Sequence, residues 1–176
     1  IVSKKKLLNK KNVQDGDVIL AIPSSGVHSN GYSLVRTILK NKKITKEIKK
    51  QLLTPTKIYT KEVLGLAKNN LLHSAAHITG GGLVDNLIRS VPDNLCLNLD
   101  LAKIKIKKIF KWIKKNNISD QEMLKTFNCG VGFCLIVKKN NLNKIKKYFS
   151  KEYMPYEIGF ISKNKKKLNI YNKIKW

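Results

Sequence analysis

The stretch Val18-Ile19-Leu20-Ala21-Ile22-Pro23-Ser24-Ser25-Gly26-Val27-His28-Ser29-Asn30-Gly31-Tyr32-Ser33-Leu34-Val35-Arg36 carries the reading of this chain. Its first six residues form an apolar run bounded by turn formers, the pattern of a buried strand. Its end opens the apolar spacing Leu34, Val35, Ile38 and Leu39, which predicts a helix from about Asn30 to Leu39. Between them lies a loop of hydroxyls and glycines. A strand that breaks into such a loop and then enters a helix points several unpaired backbone N–H groups at one spot. That spot lies at the positive end of the helix dipole and favours an anion, most often phosphate. Gly26 and Gly31 permit the tight turn. Ser24, Ser25, Ser29 and Asn30 add short polar side chains, and Ser29 or Asn30 is placed to cap the helix. Arg36 stands where it either clamps a phosphate or pairs with a surface carboxylate. A capped turn that binds nothing has the same composition.

A second loop has the same grammar. Ala75 to Ile78 reads as a short buried strand, Thr79-Gly80-Gly81-Gly82 as a turn, and Leu83 to Ser90 as a helix stopped by Pro92. Three glycines in a row cost conformational entropy, so they imply backbone that must approach a ligand, or a very tight turn. Thr79 offers a hydroxyl to the same ligand. His28 and His77 stand one in each loop, after a strand, where open α/β sheets place their ligands. Each reads as a catalytic candidate or as a hydrogen-bonded structural residue. No third ligand accompanies them, so no metal site is expected. Asn128, before the apolar run Gly130 to Val137, is placed to hold a substrate amide or to cap a turn. Thr56, in Thr54-Pro55-Thr56, is a further candidate phosphate contact, and His73 is expected to be an exposed helix-end residue.

The remaining pattern interleaves helices and strands. Helices are expected at about Thr45 to Leu53, Tyr59 to Ala67, around Ile106 to Ile113, and from Leu142 to Phe149. Strands are expected at Leu95 to Asp100, Gly130 to Val137, Glu157 to Ile161 and Lys167 to Tyr171. Gly130 and Gly132 within an apolar strand imply a bulge or a close backbone neighbour. The whole is an α/β chain of one domain over residues 15–176, preceded by a lysine-rich lead-in, 1–14.

The 176 residues carry a formal net charge of +25, with 36 lysines and arginines against 11 acidic residues. Only Arg36 and Arg89 are arginine, the residue best suited to bidentate recognition of phosphates or bases. Lysine spread evenly through helices, loops and tail predicts weak, salt-sensitive sticking to polyanions and no specific nucleic-acid function. No apolar run approaches the length of a membrane span, and Ile1 to Asn12 lacks the apolar stretch of a secretory signal. Cys96, Cys129 and Cys134 form no CxxC pair and are odd in number, which predicts free thiols in a cytoplasmic setting. Cys129 and Cys134, of opposite parity in the expected strand, should face opposite sides of the sheet.

Five blocks in order resemble the aminoimidazole ribonucleotide synthetase (phosphoribosylformylglycinamidine cyclo-ligase) family. They are Ser24 to Arg36, Leu52-Leu53-Thr54-Pro55-Thr56-Lys57-Ile58-Tyr59, and Ala76-His77-Ile78-Thr79-Gly80-Gly81-Gly82 with Asp85-Asn86-Leu87. Glu122-Met123 with Thr126-Phe127-Asn128-Cys129-Gly130-Val131-Gly132 follows, and then Tyr156-Glu157-Ile158-Gly159. The resemblance covers only the C-terminal half of the family's chain. Pro23 and Val27 depart from the family's usual residues. It implies a layered α/β/α domain with a mixed sheet and partly ferredoxin-like topology. It further implies ATP- and Mg²⁺-dependent ring closure of formylglycinamidine ribonucleotide, a cytoplasmic homodimer, and a partner N-terminal domain that supplies most nucleotide and metal contacts. The two glycine loops would hold the ribonucleotide 5′-phosphate. Related kinases and synthetases of the same superfamily, or a basic polyanion-binding module, are the rival readings.

Overall fold

In the computed structural model, residues 7–40 and 42–176 are described; the first six residues of the lead-in lie outside them. Among the described residues the strands are β1 (Val18–Pro23), β2 (Ser74–His77), β3 (Cys96–Asp100), β4 (Val131–Val137), β5 (Tyr156–Ser162) and β6 (Leu168–Tyr171). The helices are α1 (Tyr32–Leu39), α2 (Lys46–Leu52), α3 (Thr60–Lys68), α4 (Gly82–Ile88), α5 (Lys108–Lys114), α6 (Asp120–Thr126) and α7 (Leu142–Lys146). The strands form one sheet in the order β2-β4-β1-β5-β3-β6. β1 lies antiparallel between β4 and β5, β2 is antiparallel to β4, and β3 is antiparallel to β5 but parallel to β6.

Alternation along β1 builds two cores. Ile19 and Ala21 enter the larger one, with Val35, Leu52, Leu83, Phe110 and Met123 from α1, α2, α4, α5 and α6. Val18, Leu20 and Ile22 face the other side, against Leu66 of α3 and Ile145 of α7. The sheet is therefore layered between helices, the α/β/α arrangement expected. Among the described residues no helix is long and apolar enough to cross a membrane.

Several expectations need correction. Helix α6 is an element beyond those expected; at its start Ser119 accepts a hydrogen bond from the Glu122 N–H (3.1 Å). That Ser-x-x-Glu spacing before Met123 and Leu124 is a helix-start signal in the sequence itself. Neither Ser29 nor Asn30 caps α1: the cap position is Gly31, in the left-handed region at φ 81° with no side-chain hydrogen bond. Its missing side chain is needed, because a Cβ there would lie 2.2 Å from the Phe127 ring. Cys129 precedes β4 in a turn at φ 50°, so strand parity does not apply to it, and it shares the larger core with Cys134. All three cysteines are free and buried. His73 is not a loose helix end. Its Nδ1 lies 2.6 Å from the buried Asp17 carboxylate, which ties the entry of β2 to the turn before β1.

Candidate functional site

Strand direction decides where the two glycine loops go. Phe133 of β4 pairs with Ile22 of β1 on one side and His77 of β2 on the other. The turns that follow β1 and β2 therefore flank the same end of β4. Their histidine rings come within 6.4 Å of one another, centroid to centroid, and each is about 6 Å from the Tyr59 ring (6.2 and 6.0 Å). Three residues drawn from a span of about 50 positions thus share one corner of the sheet.

The Ser24–Gly31 turn is held from three sides. The Ser24 N–H donates to the Gly130 carbonyl (2.9 Å). The Ser25 hydroxyl donates to the Pro55 carbonyl (2.7 Å) and accepts from the Lys57 N–H (3.0 Å). The Asn128 amide donates to the carbonyls of Gly26 (3.0 Å) and Val27 (3.2 Å), while its oxygen accepts from the Gly130 N–H (2.9 Å). Asn128 is buried and its amide is occupied by backbone. These contacts realise the turn-capping alternative for Asn128, its amide and oxygen being engaged with backbone of the turn.

His28 is 4% exposed, and its Nε2 accepts the Ser25 N–H (3.2 Å). The neutral ring therefore carries its proton on Nδ1, which has no hydrogen-bond partner among the described residues. Burial, then the nearby His77 and Lys107, push its pKa down to about 4. The buried Ser24 hydroxyl is likewise without a partner. Two orphaned polar atoms in one turn cost roughly 1–3 kcal/mol each, and such groups gather where a ligand completes the structure. Room for the His28 ring comes from Gly132: a Cβ there would lie 1.9 Å from Tyr59 Oη and 2.7 Å from His28 Cε1. Tyr59 itself is fixed by donating to the Pro23 carbonyl (2.9 Å), and burial pushes its pKa up.

His77 is exposed, and its ring lies nearly parallel to that of Phe133 (19°, centroids 5.6 Å apart). Burial of part of the ring lowers its pKa too. A cavity of about 470 Å³ opens beside it, with Thr56, Ile58, Tyr59, Leu64 and Phe133 in its wall. The Thr56 hydroxyl is 3.5 Å from that of Ser29, linking this wall to the first turn. A second hollow, of about 370 Å³, is lined by Ser25, Gly26 and Gln51 together with the lysines Lys107 and Lys108.

The triple-glycine turn is built differently. Gly80, Gly81 and Gly82 line neither hollow. The Asn86 amide donates to the carbonyls of Thr79 (3.3 Å), Gly80 (3.2 Å) and Gly82 (2.6 Å), and the Thr79 hydroxyl donates back to its oxygen (3.3 Å). Gly82 sits at φ 70°, where a Cβ would lie 1.8 Å from the Leu124 carbonyl of α6. Gly82 therefore has a packing reason, which fits the tight-turn alternative, and the Thr79 hydroxyl is engaged within the turn. Arg36 is exposed in the last turn of α1. Tyr59, Phe133 and Asn86 were not singled out from sequence. Tyr59 and Asn86 lie within the family-like blocks, but nothing local shows that Tyr59 packs against two histidines.

Comparison with known proteins gives these features a context. Residues 14–170 match the family described as AIR synthase related protein, C-terminal domain, and the chain belongs to that family. The phosphoribosylformylglycinamidine cyclo-ligase of Lactobacillus helveticus is 41% identical, over 93% of this chain and 50% of that protein. The trifunctional purine biosynthetic protein adenosine-3 of Gallus gallus is 41% identical, over 85% of this chain and 16% of that protein. The chain spans about half the length of the bacterial cyclo-ligases it matches. Among solved structures, a thiamine-monophosphate kinase from Stenotrophomonas maltophilia superposes with a TM-score of 0.65 at 19% identity, over 96% of this chain and 54% of that one. The PurLQS structure from Thermotoga maritima gives 0.61 at 12%, over 99% and 27%. At such identities these two speak to the fold alone.

Proposed function

We propose that this chain is the substrate-binding half of a phosphoribosylformylglycinamidine cyclo-ligase, which closes the imidazole ring of aminoimidazole ribonucleotide in purine biosynthesis. The observation that carries the reading is the meeting of His28 and His77, 6.4 Å apart, where two family-like turns end on one side of β4. The cyclo-ligase relatives, at about 41% identity, supply the activity.

The reaction as written needs ATP, whose chemistry is activation of the formyl oxygen for attack by the substrate's amidine nitrogen. This chain's own residues do something narrower. The Ser24–Gly31 turn, with its orphaned Ser24 hydroxyl and His28 Nδ1–H, offers donors to an oxygen-rich group such as the ribonucleotide 5′-phosphate. Ser25, Gly26, Ser29, Asn30 and Gly31 shape that turn, and Asn128 holds it in place. His77 faces the reacting end from β2. With both imidazoles neutral at pH 7, they position and donate hydrogen bonds and contribute no fixed charge. By the same reading, Mg²⁺ contacts are assigned to the half of the cyclo-ligase relatives that this chain does not span. We assign residues 15–176 to the substrate-binding domain, the homodimer and the cytoplasmic setting following from the same reading.

The purified chain should show neither ATPase nor ring closure. Co-expressed with the N-terminal half of the Lactobacillus helveticus cyclo-ligase, it should restore growth of a cyclo-ligase-deficient bacterium without purines, and His77→Ala should abolish that rescue. Ring closure by the chain alone would overturn the division of labour, and failure of the pair to rescue growth would overturn the assignment.

A further inference from the structure

The two edges of the sheet are finished differently. At β2 the Ser90 hydroxyl, just after α4, donates to the Ala75 carbonyl (3.4 Å), and Leu7 to Lys10 share a hollow with Ser74. At β6 the backbone is left open. The Leu97 N–H donates to the Lys167 carbonyl (2.9 Å), so Lys167 and, at a period of two, Asn169 and Tyr171 turn their backbone groups toward β3. The N–H and C=O groups of Leu168 and Ile170 point the other way, and none has a backbone partner among the described residues. The tail then turns off at Asn172, φ 57°, and Ile174 is buried in the larger core.

An open edge ordinarily invites a second copy of the same chain. Here charge works against that. Lys163, Lys165 and Lys166 precede β6, and Lys173 and Lys175 follow it. All five are exposed and outside any ion pair among the described residues. No acidic residue stands between Lys163 and Trp176. Two such edges meeting would press lysine clusters together, whereas an acidic strand meets an attractive field. The middle of the edge is apolar on both faces. Ile170 is 47% exposed and Tyr171 45%; as neighbours in a strand they face opposite sides, and Tyr171 shares a hollow of about 440 Å³ with Phe160.

We propose that β6 is a docking edge for an extended segment of another protein, apolar in its middle and acidic at both ends, which joins the sheet as a further strand. The backbone groups of Leu168 and Ile170 supply the pairing, and the lysine clusters select against copies of this chain. Lysine elsewhere on the surface attracts any polyanion but offers no ladder to pair with. The surface is independent of the cyclo-ligase reading.

The probe is a short synthetic peptide of alternating valine and threonine with aspartates at both ends. Its control has the same sequence with N-methylated valines, which keeps the charge and removes ladder donors. The first peptide should slow exchange of the Leu168 and Ile170 amide protons with solvent, and the control should bind about tenfold more weakly. Ile170→Pro removes one outward N–H, a change that an edge strand tolerates, and should cost a similar factor. A milder variant, Lys165→Ser with Lys166→Ser and Lys173→Ser, alters exposed side chains alone and should weaken binding about fivefold at low salt. Circular dichroism checks that each variant is folded. Unprotected Leu168 and Ile170 amides, equal binding of the N-methylated peptide (polyanion attraction only), or undiminished affinity in either folded variant would each overturn the docking edge.

Discussion

The two glycine turns look alike in sequence and are built for different ends. The Ser24–Gly31 turn is laced to three distant segments, yet it leaves a buried hydroxyl and a buried imidazole N–H without partners among the described residues. The Thr79–Gly82 turn is closed on itself by Asn86, and its last glycine exists to let α4 meet α6. One turn is held from outside and left chemically open. The other is hydrogen-bonded internally, and its last glycine lets two helices pack. A glycine-rich loop between strand and helix thus fixes a backbone path, and the neighbours decide whether that path ends in a ligand site or in a helix contact.

The comparison breaks most easily at Gly82. A methyl group at φ 70° and 1.8 Å from the Leu124 carbonyl meets backbone that has no side chain to rotate away. Gly82→Ala should cost about 4 kcal/mol, combining left-handed strain with overpacking, as read by urea denaturation. Stability within about 1 kcal/mol of the parent chain would remove the packing explanation and return the triplet to ligand binding.

Acid should find the other turn. The unfolded chain takes up a proton on His28 near pH 6.5, whereas the folded ring resists until about 4. Stability from this group is complete above pH 6.5 and is lost as the pH falls through that window, by up to about 3 kcal/mol. His28→Asn should flatten the slope, leaving the part due to His77, whose pKa is also lowered. An unchanged slope in that variant would mean that His28 is not held neutral by its surroundings.

The smallest effect sharpens the contrast most. Gly80 has no positive φ and nothing within 4 Å of a built Cβ. Gly80→Ala should therefore change stability by less than about 0.5 kcal/mol. If the same variant in the paired-halves complementation loses growth, a ligand approaches the second turn after all; full growth confirms it as a joint.

Much of the fold was readable because burial periodicity is local. The run Val18 to Pro23, the alternation at Leu95 to Asp100 and the spacing in α1, α3 and α5 each report their own environment. The capping of α6, Ser119 to Glu122, is equally local. His73 and Asn128 were harder, since each is defined by a partner far along the chain: Asp17 for one, Gly26 and Val27 for the other. No window of sequence holds both halves of such a contact.

By itself the sequence determined the strand–turn–helix units, the family-like blocks and the positions of two histidines after two strands, because each depends on neighbours a few residues away. Only the tertiary structure decided that those histidines meet. Strand order and direction place β4 between β1 and β2, and Gly132 of β4, lacking a side chain, leaves the space in which His28 and Tyr59 come together.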